Sequence, residues 1–230
     1  MFDHDKPSRD VLPLVVVIDD DALMREALRD LFESAGLRVN VLNSAPEMAD
    51  MAEIASANCL VLDIRLPRSS GFVVQQQLKR AGIRTPVIFI SGHADIPVSV
   101  RAMKAGAIDF LPKPFREQDM LDAVLAAISD DRGRKLAEQR YANLKARFEQ
   151  LSIREREVMA LVTKGLLNKQ VAGHLGLSEV TIKVYRRQVM DKMGVHTLAD
   201  LVRCAEALGL NTFEAGERRE PVRQLVRRSA

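Results

Sequence analysis

The chain has 230 residues, 47% hydrophobic and 28% charged, with no tryptophan and a net charge of +3; that length holds two modest domains or one large one, and the balance is that of an ordinary globular protein. Its longest apolar run, LPLVVVI, is too short to span a bilayer, no secretory signal pattern is visible, and Cys59 and Cys204 stand too far apart for a disulfide framework or zinc cluster. These features argue against a membrane channel and a secreted disulfide scaffold, and the expected location is the cytoplasm. The net charge conceals a split. Residues 1–129 carry 14 Lys plus Arg against 18 Asp plus Glu, net −4, whereas residues 130–230 carry 20 against 13, net +7. Two domains with different partners are expected, the basic one meeting nucleic acid or another anionic surface.

The first element is the apolar run LVVVI, a strand over 14–18, which leads straight into three consecutive carboxylates, Asp19, Asp20 and Asp21. The helical pattern MREALRDLFESAG follows, and a second strand is expected over 38–42. Further strands are expected over 58–62, 86–90 and 108–111, separated by the helical patterns GFVVQQQLKRAG and DIPVSVRAMKAG and followed by REQDMLDAVLAAI. Gly36, Gly82 and Gly106 close helix patterns before the next strand. Near-continuous apolar strands with helices between them mean a parallel sheet covered on both faces. The fold class is therefore α/β, a five-stranded doubly wound domain of the flavodoxin-like kind over 14–129.

In such sheets ligands bind outside the carboxyl ends of the strands, where the winding reverses. Asp19 and Asp20 follow the first strand, Asp63 the third in LVLDIRLP, Ser91 the fourth in FISGH and Lys113 the fifth in FLPKPF. Clustered carboxylates in one cleft are tolerable if a cation neutralises them, and hard oxygen ligands without histidine suit a partly hydrated Mg²⁺. With the metal and Lys113 balancing charge on a phosphoryl oxygen, Asp63 can act as a carboxylate nucleophile and form an acyl phosphate. Any single Asp at a strand end can simply cap a helix, and for Asp21 alone that reading is preferred.

From 130 to 150 strand signals stop. Ala137, Tyr141, Leu144, Phe148 and Leu151 recur with heptad spacing for barely two repeats, which fits equally a helical linker packed on its own protein and a short dimer seam. Over 151–210 the pattern is all helical, with Ser152 and Glu155 forming a capping box, Ser178 an N-cap, and Thr197 with Asp200 repeating the device. Four helices are expected, near 153–164, 168–175, 179–193 and 197–208, the turn at Gly176 in HLGLS marking a helix-turn-helix. On the third, Ile182, Tyr185, Val189 and Met193 should face the core, leaving Val180, Lys183, Val184 and Arg187 outward for major-groove reading. The segment 211–230 reads as a charged C-terminal tail.

On these residues, 14–129 resembles the receiver domain of two-component response regulators, and 151–210 resembles the helix-turn-helix of the NarL/FixJ (LuxR-type) class. The resemblance implies that Asp19 and Asp20 hold Mg²⁺ together with Asp63 and the backbone carbonyl of Arg65. By the same resemblance Asp63 is the phosphoacceptor, Ser91 the switch hydroxyl, Phe110 the aromatic switch residue and Lys113 the phosphate-binding lysine, with Lys113-Pro114 a cis peptide. It further implies that Lys183, Val184 and Arg187 meet bases, that Thr181, Arg186 and Lys192 meet phosphates, and that the helix carrying Leu198, Leu201, Val202 and Ala205 serves dimerisation. Ile153 and Tyr185 depart from the family's usual proline and histidine. The implied partners are a sensor histidine kinase, double-stranded promoter DNA and a second copy of the phosphorylated chain. A phosphohydrolase with an Asp nucleophile is the main rival, but Arg65 stands where such enzymes commonly carry a second Asp; a nucleotide- or flavin-binding module would need a glycine-rich loop where DDDALM stands.

Overall fold

The computed structural model describes residues 12–92 and 96–210, so the tail over 211–230 lies outside the described residues. The chain divides into two compact units, Met1–Lys135 and Leu136–Ala230. The first runs β1 (Leu14–Ile18), α1 (Ala22–Ser34), β2 (Arg38–Leu42), α2 (Met48–Ser56), β3 (Cys59–Asp63), β4 (Arg65–Leu66), β5 (Ser69–Ser70), α3 (Gly71–Arg80), β6 (Val87–Ser91), α4 (Ile96–Lys104), β7 (Asp109–Pro112) and the start of α5 (Glu117–Glu149).

Five strands pair in parallel in the order β2-β1-β3-β6-β7. The alternation of strand side chains explains why both faces are apolar. Val16 and Ile18 of β1 join Leu60, Leu62 and Phe89 against Ile54 of α2, Val74 and Leu78 of α3 and Ala102 of α4. Val15 and Val17 turn the other way, with Val61, Ile88 and Ile90, against Leu28 and Phe32 of α1 and Met120, Val124 and Ala127 of α5. From β1 the chain steps to β2 on one side and then to β3 on the other, so the winding reverses between β1 and β3. Their register pairs Ile18 with Leu62 and so brings Asp19 beside Asp63.

The small antiparallel pair β4·β5, Arg65 opposite Ser70 and Leu66 opposite Ser69, was not expected from the sequence. Two-residue strands carry no periodicity to read. The pair folds the chain after Asp63 back so that α3 begins against β3. A Cβ on Gly71 would lie 2.5 Å from the carbonyl oxygen of Asp63, so only glycine fits there.

The second unit combines the last turns of α5 with α6 (Ile153–Val162), α7 (Asn168–Leu175), α8 (Glu179–Met193) and α9 (Leu198–Ala207). Ser152, Ser178 and Thr197 cap three of these helices, each accepting from the backbone N–H three residues on, and Gly176 takes the left-handed conformation (φ 67°) that turns α7 into α8. Val158, Met159, Val171, Ile182, Val189, Met193, Leu201 and Ala205 form its buried core. Leu144 and Phe148 pack on that core and Leu151 lies within it, whereas Ala137 and Tyr141 are exposed; the later part of the heptad spacing therefore records packing inside this unit. Among the described residues no helix is long and apolar enough to cross a membrane.

Candidate functional site

At the carboxyl end of β1, Asp19 is buried, Asp20 exposed, and Asp21 caps α1 by accepting from Leu23 N–H at 2.9 Å. Asp19 Oδ1 accepts the Asp21 N–H at 2.9 Å, and the Arg25 guanidinium donates to the Asp19 carbonyl at 2.8 Å, which holds the loop in place. Asp63 is buried at the end of β3, its Oδ1 accepting from Arg65 N–H at 2.8 Å. Lys113 follows β7 across a cis peptide to Pro114, and its backbone N–H donates to the carbonyl of Ser91 at 2.8 Å. Its ammonium lies 2.6 Å from Asp19 Oδ2 and 2.5 Å from Asp63 Oδ2.

Asp19, Asp20 and Asp63 each place one carboxylate oxygen within 4.8 Å of the others. Burial pushes the Asp19 carboxyl above its usual range despite the opposing bonds from Lys113 and the Asp21 N–H. For Lys113 burial works against the charge, but Asp19 and Asp63 together hold its pKa above the ordinary lysine value. One ammonium faces three carboxylates, so the cleft carries an excess of negative charge on hard oxygen donors. That donor set fits Mg²⁺. Ser91 is buried at the end of β6, and half-buried Phe110, paired with Phe89, packs against the core on that side. The register thus brings Asp19, Asp63, Ser91 and Lys113 to the same end of adjacent strands, with Phe110 two residues back along β7.

On α8, Val180, Lys183, Val184 and Arg187 are exposed, and Ile182, Val189 and Met193 are buried with Tyr185 partly so. Among the described residues Lys183 and Arg187 make loose exposed pairs, 3.9 Å to Glu179 and to Asp191; such pairs contribute little and exchange readily. Thr181 shares a 2.8 Å hydroxyl hydrogen bond with Ser178, and Arg186 donates to Asn168 Oδ1 at 3.2 Å, a link between α8 and the start of α7. Lys192 also makes a contact within the unit. Its ammonium lies 2.7 Å from Oε2 of Glu155, a carboxylate 2% exposed that also accepts from Ser152 N–H at 2.7 Å. Its side chain stays 41% exposed, so this ion pair leaves the lysine at the surface of the unit. Leu201 and Ala205 of α9 belong to the unit's own core, leaving Leu198 and half-buried Val202 toward solvent. His196, absent from the sequence reading because it follows α8 in a loop without periodicity, borders a shallow concavity with Lys183, Arg186 and Arg187.

A doubly wound sheet with an acidic cleft at its switch point, followed by a helix-turn-helix unit, defines a signal-receiving module joined to a DNA-binding one. Comparison with known proteins agrees. Residues 15–125 match the response regulator receiver domain and residues 149–205 the bacterial regulatory proteins of the luxR family. Nodulation protein W of Bradyrhizobium diazoefficiens is 54% identical over 86% of this chain and 87% of its own. Transcriptional regulatory protein FixJ of Azorhizobium caulinodans is 41% identical over 85% of this chain and 93% of its own. The solved structure of response regulator StyR, 44% identical, superposes with a TM-score of 0.76 over 85% of this chain and 98% of its own. The chain belongs to the response regulators that join a receiver domain to a LuxR-type DNA-binding domain, and it is a transcriptional regulator rather than an enzyme.

Proposed function

We propose that this regulator is controlled by phosphorylation of Asp63. The observation that carries the reading is the set of three clustered carboxylates with the Lys113 ammonium between Asp19 and Asp63. An Asp63 carboxylate oxygen attacks the phosphorus of a phosphohistidine on a partner kinase, the P–N bond breaks, and the electron pair leaves with the imidazole. Asp19, Asp20, Asp63 and the Arg65 carbonyl would hold Mg²⁺, which when bound supplies charge neutralisation at the phosphoryl oxygens. Lys113 donates to a phosphoryl oxygen once Asp63 carries the acyl phosphate, the Ser91 hydroxyl donates to another, and Phe110 follows Ser91 as the packing readout.

The working division is a receiver over 14–129, a helical linker over 130–150 and a DNA-binding domain over 151–210. Phosphorylation favours a homodimer that binds double-stranded promoter DNA, with Lys183, Val184 and Arg187 at base edges and Thr181 and Arg186 at phosphates. The exposure of the outer face of α8 supports this, as does its excess of cations over the buried face. A regulator of this kind acts where the chromosome lies, in the cytoplasm.

The test is DNA affinity, with and without acetyl phosphate and Mg²⁺, on a duplex selected by the wild-type protein from a random pool. Tighter binding after phosphorylation is expected for the wild type and not for Asp63→Asn. Equal responses of the two proteins would overturn the reading.

A further inference from the structure

Helix α5 seats on the sheet through Met120, Ala123, Val124, Ala127 and Ile128, all buried at three- and four-residue spacing. The next position of that stripe is Asp131, 1% exposed. A carboxylate where the period calls for an apolar side chain does little for stability, because a buried ion pair seldom outperforms a hydrophobic group of its size; its bonds, however, are directional.

The partners of Asp131 come from its own helix turn and from the segment leading into β3. Asn58 Nδ2 donates to Asp131 Oδ2 at 3.0 Å, Lys135 Nζ lies 2.8 Å from the same oxygen, and the Arg134 guanidinium binds Oδ1. Asn58 is itself locked to the start of β1: its Oδ1 accepts the Leu14 N–H at 3.0 Å, and its own N–H donates to the Leu14 carbonyl at 2.8 Å. Lys135 also donates to the Ala57 carbonyl at 3.1 Å. Cys59 lies fully buried at the start of β3, its thiol pushed up by burial and by Asp131, and is a packing group rather than a reactive one. The turn 131–135 is therefore tied to the amino-terminal ends of β1 and β3, the two strands whose other ends carry Asp19 and Asp63. Residues 136–143, which follow the clasp on α5, are all exposed.

We propose that Asp131, Asn58, Arg134 and Lys135 form a polar clasp that sets the seating and rotation of α5 where it leaves the receiver, and that a phosphoryl group on Asp63 alters DNA binding only while this clasp is closed. Asp131 is a positioning residue, in contact with neither phosphoryl group nor DNA. The second half of the proposal rests on the phosphorylation reading above; the first half does not.

The experiment uses the full chain with Asp131→Asn and, should that variant melt, Lys135→Met, whose side chain is 39% exposed and whose loss leaves the core intact. Hydrogen exchange over 131–143 should quicken by about tenfold as the turn loses its hold. Exchange over 151–210 and transfer of a phosphoryl group from acetyl phosphate to Asp63 should stay unchanged. The ratio of DNA affinities with and without acetyl phosphate, on the wild-type-selected duplex, should fall toward one. Wild-type exchange over 131–143 in the variants would overturn the clasp, and a full wild-type affinity ratio would overturn its role in transmission. A wild-type ratio of one would count against phosphorylation control and against transmission through the clasp, while the exchange result would still decide the clasp.

Discussion

Lys113 and Lys192 each bring an ammonium to within 2.7 Å of a buried carboxylate, one in the receiver and one in the DNA-binding unit. Lys192 answers Glu155 one for one, and the same carboxylate oxygen, Oε2, also accepts from Ser152 N–H. Lys113 faces Asp19 and Asp63 with Asp20 close by, so the charges there do not cancel. The matched pair ties α6 to α8, whereas the unmatched cluster leaves an excess of negative charge that the proposed Mg²⁺ would balance. The difference separates scaffold from chemistry in a way that neither lysine reveals alone.

The largest expected effect sharpens that contrast. Mg²⁺ should stabilise the receiver by about 2.7 kcal/mol at a hundredfold excess over its Kd, and leave the second unit unaffected. Asp20→Asn should shrink the rise in melting temperature, which differential scanning calorimetry reads directly. Equal shifts in both units would break the comparison.

Next in size is the balanced pair. Glu155→Gln should destabilise the second unit by about 2 kcal/mol, because Lys192 loses its partner although it keeps some access to water. Burial raises the pKa of Glu155, but the bonds from Lys192 and Ser152 outweigh it and hold the carboxyl below its usual value of 4.5. A depressed folded pKa contributes stability that is present above about pH 4.5 and lost as pH falls through the folded value. Denaturant melts of residues 136–230 across an acid series should show that loss in the wild type and not in Glu155→Gln.

Arg187→Ala should cost on the order of 1 to 2 kcal/mol at a selected site and relax preference at one base position, as footprinting would show. Lys192→Ala should by contrast lower the melting temperature of the second unit while scarcely altering the salt slope of binding. A salt slope reduced by one phosphate contact, without loss of stability, would instead place Lys192 at a phosphate. The smallest effect is Arg68→Gly. Arg68 holds φ at 62° in the loop after Asp63, so glycine there should stabilise the receiver by about 0.5 to 1 kcal/mol in a urea melt.

The parts legible in the sequence are those whose meaning lies in local pattern. Apolar runs ending in Asp19, Asp63, Ser91 and Lys113 announce a parallel sheet and the functional edge of it, because a doubly wound sheet brings strand ends together whatever the loops do. Ser152, Ser178 and Gly176 announce helix boundaries for the same local reason. The contact of Lys192 with Glu155 is not legible in the sequence, because its partner lies 37 residues away and a basic residue on α8 carries the same signal whether or not it also reaches a buried carboxylate. Asp131 went unnoticed because a carboxylate near a helix end reads as a solvated residue until Asn58, 73 positions earlier, is placed beside it. The β4·β5 pair is too short for any period to show.

The central claim is that the uncompensated carboxylates of the receiver make Asp63 a phosphoacceptor in the presence of a divalent cation. Intact-mass and peptide mass spectrometry after incubation with acetyl phosphate tests it most directly. The account predicts one base-labile phosphoryl group on Asp63, dependent on Mg²⁺, suppressed by a chelator and absent from Asp63→Asn. A phosphoryl group that maps to another residue, or that forms equally well in the chelator or in Asp63→Asn, would contradict it.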